Sequence, residues 1–508
     1  MINKLLTFKL FLIVLSIFIS TALNADENRP NIVVILADDS GFEEFGCYGV
    51  RDRESITPHI DKLAEEGLAF KTCYSEAICG PARAMFKTGN YAPVTGSYDN
   101  KLNYSNFTQN ELSKEIPYFT KILHDSGYYV VSAGKWHNPI GPTPIGNSEF
   151  YGIDSYLVWH ANAKNVEKAL NIKLVPDEHW EIAALLKTPI LSRYWKPMLI
   201  KDGVLQTTTP TDYGPDLLSD FICDTIRDHE NKEQPFLAFY TMVLPHSAHC
   251  VTPLDVAAGE TPSNKHYRKG DEKGNKIFAS QIRYVDHCVG KIVKCLKDTN
   301  QEKDTIVIFS SDNGTTSSAK GKGVEYGVHV PFIVSGKGIK QRGMVDPLMD
   351  FTDVLPTIVD FANATIPEGK SVQGISLKKF LTGDSESTKP VIYSYPGISR
   401  IVRTKEYLLE AVCPLYERPN GRFYKTNGSF DGRGYVNITH NPEYAPIRNV
   451  EFENHMSLLP VTYPDSFENP LWKTDEKLAR AYKHFNNKVI KKNHLTLPYQ
   501  YKFYDESF

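Results

Sequence analysis

Short apolar runs that alternate with amphipathic segments are the feature of this sequence that most restricts its fold. The runs have the length of strands buried on both faces and lie at Asn31–Ala37, Tyr128–Ser132, Phe236–Val243, Thr305–Ser310 and Pro331–Val334. Apolar residues at helical spacing occupy segments between them, at Thr57–Glu66, Tyr118–Ser126, Gly214–Asp228 and Ala279–Lys297. This alternation predicts an α/β fold, in which a large, mostly parallel mixed sheet is sandwiched by helices.

The pattern changes near residue 389. Short strand-like stretches lie at Val391–Tyr395, Ile401–Thr404 and Tyr407–Glu410, and a last helical stretch at Glu476–Ile490. We therefore expect a main domain over residues 26–388 and a smaller C-terminal α+β subdomain over residues 389–508, built on a short antiparallel sheet. Residues 138–210 are irregular and rich in proline and aromatics, which predicts an insertion that shapes a binding site or a surface excursion.

The N-terminus has the features of a secretory signal peptide. Lys4 and Lys9 precede the apolar run Leu10–Ile19, which is too short to span a bilayer and is followed by small residues. We expect a signal peptide over residues 1–25 and an exported protein, periplasmic or secreted, without stable membrane insertion after cleavage. A formal net charge of −3 and the lack of a long basic run argue against nucleic-acid binding. Eight cysteines in 508 residues do not make a disulfide scaffold, and their pairing stays open.

Polar residues follow four of the predicted strands. In open α/β sheets the ligand crevice lies beyond the carboxyl ends of the strands, so these residues are predicted to meet in one pocket. They are Asp38, Asp39, Lys135, His137, His246, His249, Asp312 and Asn313. Each of the acidic residues alone is more typical of a turn or a helix cap, and their shared placement is the signal.

The acidic members of this set indicate a metal site. Asp38, Asp39 and Asp312 with the amide oxygen of Asn313 offer oxygen ligands only, which favours Ca²⁺ or Mg²⁺, and a carboxylate-rich site favours Ca²⁺. Zinc would prefer nitrogen ligands, which nearby histidines could supply. Arg83, Lys135 and Lys320 would make the same pocket attractive to sulfate or phosphate, although each alone is typical of solvated surface.

Cys79 precedes a predicted helix over Ala82–Lys87 that ends at Gly89. Pro81 is well placed near a helix start, where its missing N–H costs no hydrogen bond. A cysteine at this position is either an activated thiolate or part of an anion site, because free N–H groups and the helix dipole favour negative charge. The residues alone also permit a half-buried loop cysteine.

The stretch CGPAR at Cys79–Arg83, with AMFKTGNY after it, resembles the signature C-x-P-x-R of the sulfatase family. Other family elements follow in matching order, and their combination is specific although none is decisive alone. They are NIVVILADDSGFEEFGCYG, TPHIDKLAEEGLAF, GYYVVSAGKWH, LPHSAH, IVIFSSDNG and KGKGVEYGVHVPFIV.

The resemblance implies an enzyme, a sulfuric ester hydrolase of the alkaline phosphatase superfamily. Its cysteine is oxidised to Cα-formylglycine, whose hydrate attacks sulfur. The family pattern implies that Asp38, Asp39, Asp312 and Asn313 hold Ca²⁺ together with modified Cys79. Arg83 and His137 orient the hydrate, and Lys135, His246 and Lys320 bind the sulfate oxygens. Asp312 is a candidate proton acceptor, His246, with or without Lys320, protonates the departing alcohol, and His137 deprotonates the second hydroxyl to release sulfate.

Three residues depart from the family pattern. Ala82 stands where serine is common, His329 stands where arginine is usual, and Tyr326 replaces a glycine. The last two are expected to adjust packing near Lys320. Lys320 is preferred to Lys322 because of its spacing from the glutamate and proline of the same element.

The implied partners are a sulfated sugar or another small sulfate ester, and a maturation enzyme that generates formylglycine. His249 and His160 are candidate sugar contacts. Two alternatives stay open: hydrolysis of a phosphate or phosphonate ester on the same scaffold, and a catalytically silent protein that binds calcium and glycan if Cys79 is not oxidised.

Overall fold

The computed structural model describes residues 29–51, 56–97, 100, 116–137, 144–160, 163–174, 180–183, 188–247, 249–267, 269–314, 319–370, 372–386, 389–396, 399–412 and 421–449. The predicted signal peptide and the predicted helix Glu476–Ile490 lie outside these residues. Among the helices of the described part, none is long and apolar enough to cross a membrane.

The strands form a ten-stranded mixed sheet, a five-stranded antiparallel sheet and one separate hairpin. In chain order they are β1 Asn31–Ala37, β2 Leu68–Tyr74, β3 Tyr129–Lys135, β4 Ser155–Trp159, β5 Trp180–Ala183, β6 Thr188–Leu191, β7 Ile200–Lys201, β8 Val204–Leu205, β9 Phe236–Thr241, β10 Thr305–Ser311, β11 Phe332–Gly336, β12 Gly343–Asp350, β13 Val391–Ser394, β14 Arg400–Thr404, β15 Tyr407–Val412, β16 Arg422–Lys425 and β17 Val436–Asn437. The large sheet has the order β12-β2-β11-β10-β1-β9-β3-β4-β7-β8, and the smaller one runs from β13 to β17.

Five strands at the centre of the large sheet, β10, β1, β9, β3 and β4, are parallel neighbours. Their apolar side chains are buried on both faces, as in the run Val33–Leu36, which is 0% exposed. Burial on both faces explains why the sequence shows continuous apolar runs there and not alternation. All five strands end at the same edge of the sheet.

Helices cover both faces of this sheet. In chain order they are α1 Pro58–Glu66, α2 Cys79–Thr88, α3 Ala92–Thr95, α4 Phe119–Asp125, α5 Ser148–Tyr151, α6 Ala163–Leu170, α7 Gly214–Asp228, α8 Pro253–Ala257, α9 Glu272–Asp298, α10 Glu325–Val328, α11 Val354–Phe361 and α12 Lys378–Leu381. Two separate apolar clusters form the core, because side chains of β1 alternate between them: Val34 and Leu36 belong to one, and Val33 and Ile35 to the other.

The predicted fold class is confirmed: a large, mostly parallel mixed sheet with helices, and a separate antiparallel sheet towards the C-terminus. The interpretation of residues 138–210 as an irregular insertion is wrong for part of its length. β4 lies within it and pairs in parallel with β3, and β7 and β8 extend the sheet beyond β4. The sequence gives no clear signal there, because β4 is only five residues long and β7 and β8 have two residues each.

The small sheet is joined to the large one through buried ionic contacts at α10. The Glu325 carboxylate accepts a hydrogen bond from Tyr74 Oη at 2.8 Å and lies 3.6 Å from Arg403 Nε of β14. The Glu325 N–H donates to Glu410 Oε2 at 2.9 Å, and the N–H of Ala411 donates to the Gly323 carbonyl at 2.6 Å. β15 therefore fixes the segment that leads into α10.

Glu76 makes a second connection between the sheets, immediately before α2. Its carboxylate is 1% exposed, accepts from the Tyr395 N–H at 3.0 Å, and accepts from Ser394 Oγ at 2.8 Å. Burial raises the pKa of Glu76 to about 7, although these hydrogen bonds oppose the shift.

The free energy of unfolding should depend on the ionisation of Glu76. Since the pKa of this carboxyl is raised in the folded protein, its stabilising effect is complete below pH about 4.5 and is lost as pH rises through about 7, by about 3 kcal/mol. E76Q cannot ionise, so its free energy of unfolding should rise relative to wild type by about this amount between pH about 4.5 and about 8. Urea unfolding of both proteins across this range measures the difference, and a difference independent of pH would contradict the prediction.

Candidate active site

Four parallel strands deliver the predicted polar residues to one edge of the large sheet. Asp38 and Asp39 follow β1, and Asp312 and Asn313 follow β10, whose last residue is aligned with the last residue of β1. Lys135 ends β3, and His246 follows β9 after a short turn. The neighbouring order β10-β1-β9-β3 places all four groups side by side.

A close contact between β3 and β9 places Lys135. Gly134 has φ +94°, and a Cβ built on it would lie 1.8 Å from the Thr241 carbonyl oxygen of β9. Only glycine allows the two backbones to approach in this way. Lys135 consequently leaves the sheet edge beside β9, where its Nζ donates to Asp38 Oδ2 at 2.6 Å.

Three carboxylates form the centre of the site. Single oxygens of Asp38, Asp39 and Asp312 lie within 4.8 Å of one another, and all three residues are at most 1% exposed. The Asp39 backbone, at φ +69°, donates its N–H to Asp312 Oδ1 at 3.0 Å. Asn313 Nδ2 donates to Asp39 Oδ1 at 2.9 Å, which turns the amide group towards the same centre.

Three acceptor atoms at this centre make no hydrogen bond within the described part of the chain: Asp38 Oδ1, Asp39 Oδ2 and Asn313 Oδ1. Buried oxygens without a partner are costly and in native proteins are nearly always satisfied by a donor, water or an ion. Oxygen atoms alone, two of these three from carboxylates, are the donor set of Ca²⁺ or Mg²⁺. These oxygens therefore fit the predicted metal.

Positively charged groups surround the carboxylates. Lys320 Nζ donates to Asp39 Oδ1, and Arg83 Nε donates to Asp312 Oδ2 at 2.8 Å. Burial raises the pKa of Asp38, but Lys135, His246 and Arg83 outweigh it and hold this pKa well below its usual range. Burial and the neighbouring Asp38 raise the pKa of Asp312 well above its usual range.

Cys79 is the first residue of α2 and is 1% exposed. Its Sγ, one atom of Asp38 and one of His246 lie within 4.8 Å of one another. Asn100 Nδ2 donates to Sγ at 3.5 Å, and Asn100 Oδ1 accepts the Gly80 N–H at 3.0 Å. Burial raises the pKa of Cys79, but the charges of Lys135 and Lys320 and a hydrogen bond with His246 lower it to about 6. Where formylglycine is formed, its oxygen atoms would lie where Sγ lies.

Arg83 and His137 are the two residues that the family pattern assigns to the orientation of the modified cysteine. Arg83 is one turn further along α2, is 0% exposed, and also donates from Nη1 to the Lys135 carbonyl at 2.5 Å. His137 follows β3 with φ +37°, and its Nδ1 is buried without a hydrogen bond among the described residues. Burial and the charges of Lys135 and Arg83 hold the pKa of His137 well below its usual range.

His246 faces the acidic centre, and the two candidate sugar contacts, His249 and His160, have different surroundings. His246 Nε2 lies 3.5 Å from Asp39 Oδ2. His249 is 1% exposed, its Nδ1 lies 2.8 Å from Gln281 Oε1, and its ring packs against Phe278, so its contacts are those of a core residue. His160 is half-buried directly after β4. Sugar contact by these two histidines stays a prediction.

The departures at residues 326 and 329 lie in a polar and aromatic layer behind the site. His329 stacks on Phe42 with 3.8 Å between ring centroids, and its Nε2 lies 2.8 Å from the Lys71 carbonyl. Tyr326 Oη accepts a hydrogen bond from Arg51 Nη2 at 2.9 Å. Their expected effect on packing near Lys320 stays a prediction.

Two residues of the site were not found from the sequence. Asn100 contacts Cys79, and Arg193 contacts His246 at 3.1 Å between Nη1 and Nδ1. Neither belongs to a motif or to the end of a long strand, so no signal at the level of the sequence singled them out. Arg193 also lies in the region that the sequence predicts to be an irregular insertion.

Comparison with known proteins gives one consistent result. The family profile named Sulfatase matches residues 30–364. Human arylsulfatase A (Homo sapiens) is 26% identical over 394 residues, which cover 74% of this chain and 72% of that protein. N-acetylgalactosamine-6-sulfatase of Canis lupus familiaris is 26% identical over 393 residues, which cover 72% of this chain and 68% of that protein. The crystal structure of Ps i-CgsB in complex with k-i-k-neocarrahexaose has a TM-score of 0.67 at 21% identity, and covers 92% of this chain and 100% of that chain.

Calcium should stabilise the folded protein by binding Asp38 Oδ1, Asp39 Oδ2 and Asn313 Oδ1. The free energy of unfolding of the protein should rise by about 3 kcal/mol at a free Ca²⁺ concentration roughly a hundred times Kd, and chelation should reverse the effect. D38N removes one ligand charge and should abolish most of this shift.

The matched control is D286N. Asp286 is also a buried carboxylate, but its hydrogen bonds are with the His59 and Ile60 N–H groups at the start of α1, and it is not one of the three carboxylates of the acidic centre. D286N should lower stability and keep the calcium-dependent shift. Thermal unfolding with and without Ca²⁺ measures both, and an equal shift in D38N and wild type would refute the site.

Proposed function

Because the chain belongs to the sulfatase family and is therefore a sulfuric ester hydrolase, we propose that its nucleophile is Cys79 after oxidation to Cα-formylglycine, at a calcium ion held by Asp38, Asp39, Asp312 and Asn313. One observation carries this proposal. Asp38 belongs both to a cluster with Cys79 Sγ and to the cluster of three carboxylates, and one buried oxygen each of Asp38, Asp39 and Asn313 makes no hydrogen bond among the described residues.

A bound calcium ion would supply Lewis acidity, and formylglycine would supply a nucleophilic oxygen that a cysteine lacks. Arg83, fixed by Asp312, and His137, whose Nδ1 has no hydrogen bond among the described residues, would orient the modified side chain and hold a proton close to it. Asp312 is a candidate to accept that proton, because its carboxylate lies at the acidic centre.

Lys135, Lys320 and His246 would bind the sulfate oxygens. In the structure the two ammonium groups neutralise Asp38 and Asp39. When a divalent ion satisfies these carboxylates, the lysine charges become available to an anion and would neutralise charge on the equatorial oxygens. Proton donation to the departing alcohol falls to His246 or Lys320.

We propose a sulfated carbohydrate as the substrate. The names of similar proteins support this class, since one is an N-acetylgalactosamine-6-sulfatase and a structural neighbour, Ps i-CgsB, was solved in complex with k-i-k-neocarrahexaose. Export to the periplasm or the medium and maturation by a formylglycine-generating enzyme complete the proposal. Its domain limits are a signal peptide over residues 1–25, a catalytic domain over 26–388 and a smaller subdomain over 389–508.

The state of Cys79 decides between this proposal and its alternatives. In natively produced protein, mass spectrometry of the peptide over residues 72–83 should show an aldehyde in place of the thiol. C79A should lower kcat/KM for 4-nitrophenyl sulfate on the order of 10⁴-fold or more, since the nucleophile is lost. Wild type should hydrolyse 4-nitrophenyl sulfate faster than 4-nitrophenyl phosphate. The reverse order would favour a phosphate or phosphonate ester hydrolase, and an unmodified thiol without activity would favour a silent binding protein.

Lys320 and Lys322 provide a matched pair of variants. Lys320 Nζ contacts Asp39 of the acidic centre, and Lys322 lies two residues further along the same segment. K320A should lower kcat/KM for a sulfate ester on the order of 10²-fold to 10³-fold, because one charge on the sulfate oxygens is lost. K322A should change it by no more than about threefold, because the family pattern assigns the sulfate contact to Lys320 and not to Lys322. Steady-state kinetics of both variants measure the two effects, and equal losses would exclude this assignment of Lys320.

A further inference from the structure

Lys87 is a buried lysine near the end of α2 that the proposed mechanism does not use. It is 1% exposed, and no carboxylate among the described residues forms an ion pair with it. Its Nζ donates to the Trp136 carbonyl at 3.2 Å and lies 4.2 Å from the centroid of the Trp136 ring. A methionine would fill a similar space without the cost of burying an amine, so packing alone does not explain a lysine here. The contact with Trp136 is therefore the feature that calls for a function.

The side of α2 that carries Lys87 begins at the proposed nucleophile. Cys79, Arg83 and Lys87 follow one another at intervals of four residues, so their side chains leave the helix on the same side. Arg83 Nη1 donates to the carbonyl of Lys135, the last residue of β3. Lys87, one turn later, donates to the carbonyl of the next residue, Trp136. Two successive side chains of the helix thus bind two successive carbonyl groups at the end of β3.

The second of these carbonyls determines how the chain continues into His137. The Trp136 carbonyl and the His137 N–H belong to one planar peptide group, so the direction of the carbonyl fixes that of the N–H. His137 has φ +37°, and residues other than glycine rarely adopt a positive φ unless their surroundings hold it. The Trp136 ring is held in the apolar core, 4.7 Å from the Tyr151 ring centroid, and Lys87 holds the carbonyl of the same residue. Both contacts together determine where the chain places His137.

We propose that Lys87 is a positioning residue, which holds the peptide group between Trp136 and His137 and thereby fixes His137 relative to α2. This inference deepens the proposed function and rests on it in one respect, namely that His137 orients the modified Cys79. The amine of a lysine donates a hydrogen bond with or without a charge, so the role does not depend on the protonation of Lys87. Accurate placement of His137 matters because small displacements of a catalytic group lower the rate strongly.

The contact can be measured in the full-length protein without a substrate. Tryptophan precedes histidine at two places in the sequence, Trp136–His137 and Trp159–His160. Protein labelled with ¹³C in its tryptophan carbonyl groups and with ¹⁵N in its histidines therefore gives two carbonyl–amide correlations, and H160Q identifies the second. K87M keeps the length of the side chain and removes its donor. It should move the Trp136 carbonyl and His137 amide resonances and leave the other pair in place.

T88V is the matched control. Thr88 is the buried neighbour of Lys87 in α2, and its Oγ1 donates within the helix, to the Ala84 carbonyl at 2.7 Å. T88V should leave both resonances where they are in wild type. K87M should keep or raise the melting temperature, because it removes a buried amine. An unchanged Trp136 carbonyl or His137 amide in K87M overturns the proposal, whether or not the protein has activity.

A double-mutant cycle with His137 tests the consequence for the reaction. K87M should lower kcat for 4-nitrophenyl sulfate roughly tenfold and change KM by less than about twofold, because it displaces His137 and leaves Lys135 and Lys320 in place. In the H137A background, K87M should cost less than about twofold in kcat. Equal losses in both backgrounds would mean that Lys87 only supports the fold, and would overturn the proposal. If wild type has no sulfatase activity while both resonances move in K87M, the proposed function fails and the positioning of His137 stands.

Discussion

Three carboxylates buried around one point are the constraint on which the rest of this structure depends. Negative charges at this separation, away from water, repel one another strongly, and the fold must bring compensating charge to them. Lys135, Arg83 and Lys320 supply it from three different elements, β3, α2 and the segment before α10. Even so, three oxygens make no hydrogen bond among the described residues, which is why a divalent ion fits the centre better than the lysines alone.

The parallel strands bring residues that are distant in the sequence together at one edge of the sheet. Asp38 and Asp312 lie far apart in the chain, yet the register that aligns Ala37 with Ser311 makes them neighbours. α2 adds Cys79 from a different direction, with Arg83 one turn later on the same side of the helix. The proposed nucleophile lies at the start of this helix, where the helix dipole and the charges of Lys135 and Lys320 favour an anion.

Much of the fold and most of the candidate site could be predicted from the sequence, for reasons that particular residues make clear. β1, β9 and β10 are continuous apolar runs that end in polar residues, so both the strands and the position of Asp38, Asp39, Asp312 and Asn313 could be inferred. β4, β7 and β8 are too short to give such a signal, and β2 and β12 were not inferred either. Asn100 and Arg193 could not be found, because their importance arises from contacts that only the folded chain creates. His249 shows the opposite case: it belongs to a motif, yet its contacts with Gln281 and Phe278 are those of a core residue.

The small antiparallel sheet contributes no residue to the proposed site, but it supports the segment next to one of the site residues, Lys320. The segment from Gly323 to Glu325 lies only a few residues beyond Lys320. It is held by hydrogen bonds with Glu410 and Ala411 of β15 and by an ion pair with Arg403 of β14. The small sheet thereby influences the proposed binding of an anion by Lys320 indirectly, through the position of this segment. Among natural variants of this chain, substitutions in β14 and β15 should change the affinity for the anion more than the rate of the chemical step. A comparison restricted to the family motifs would overlook these substitutions.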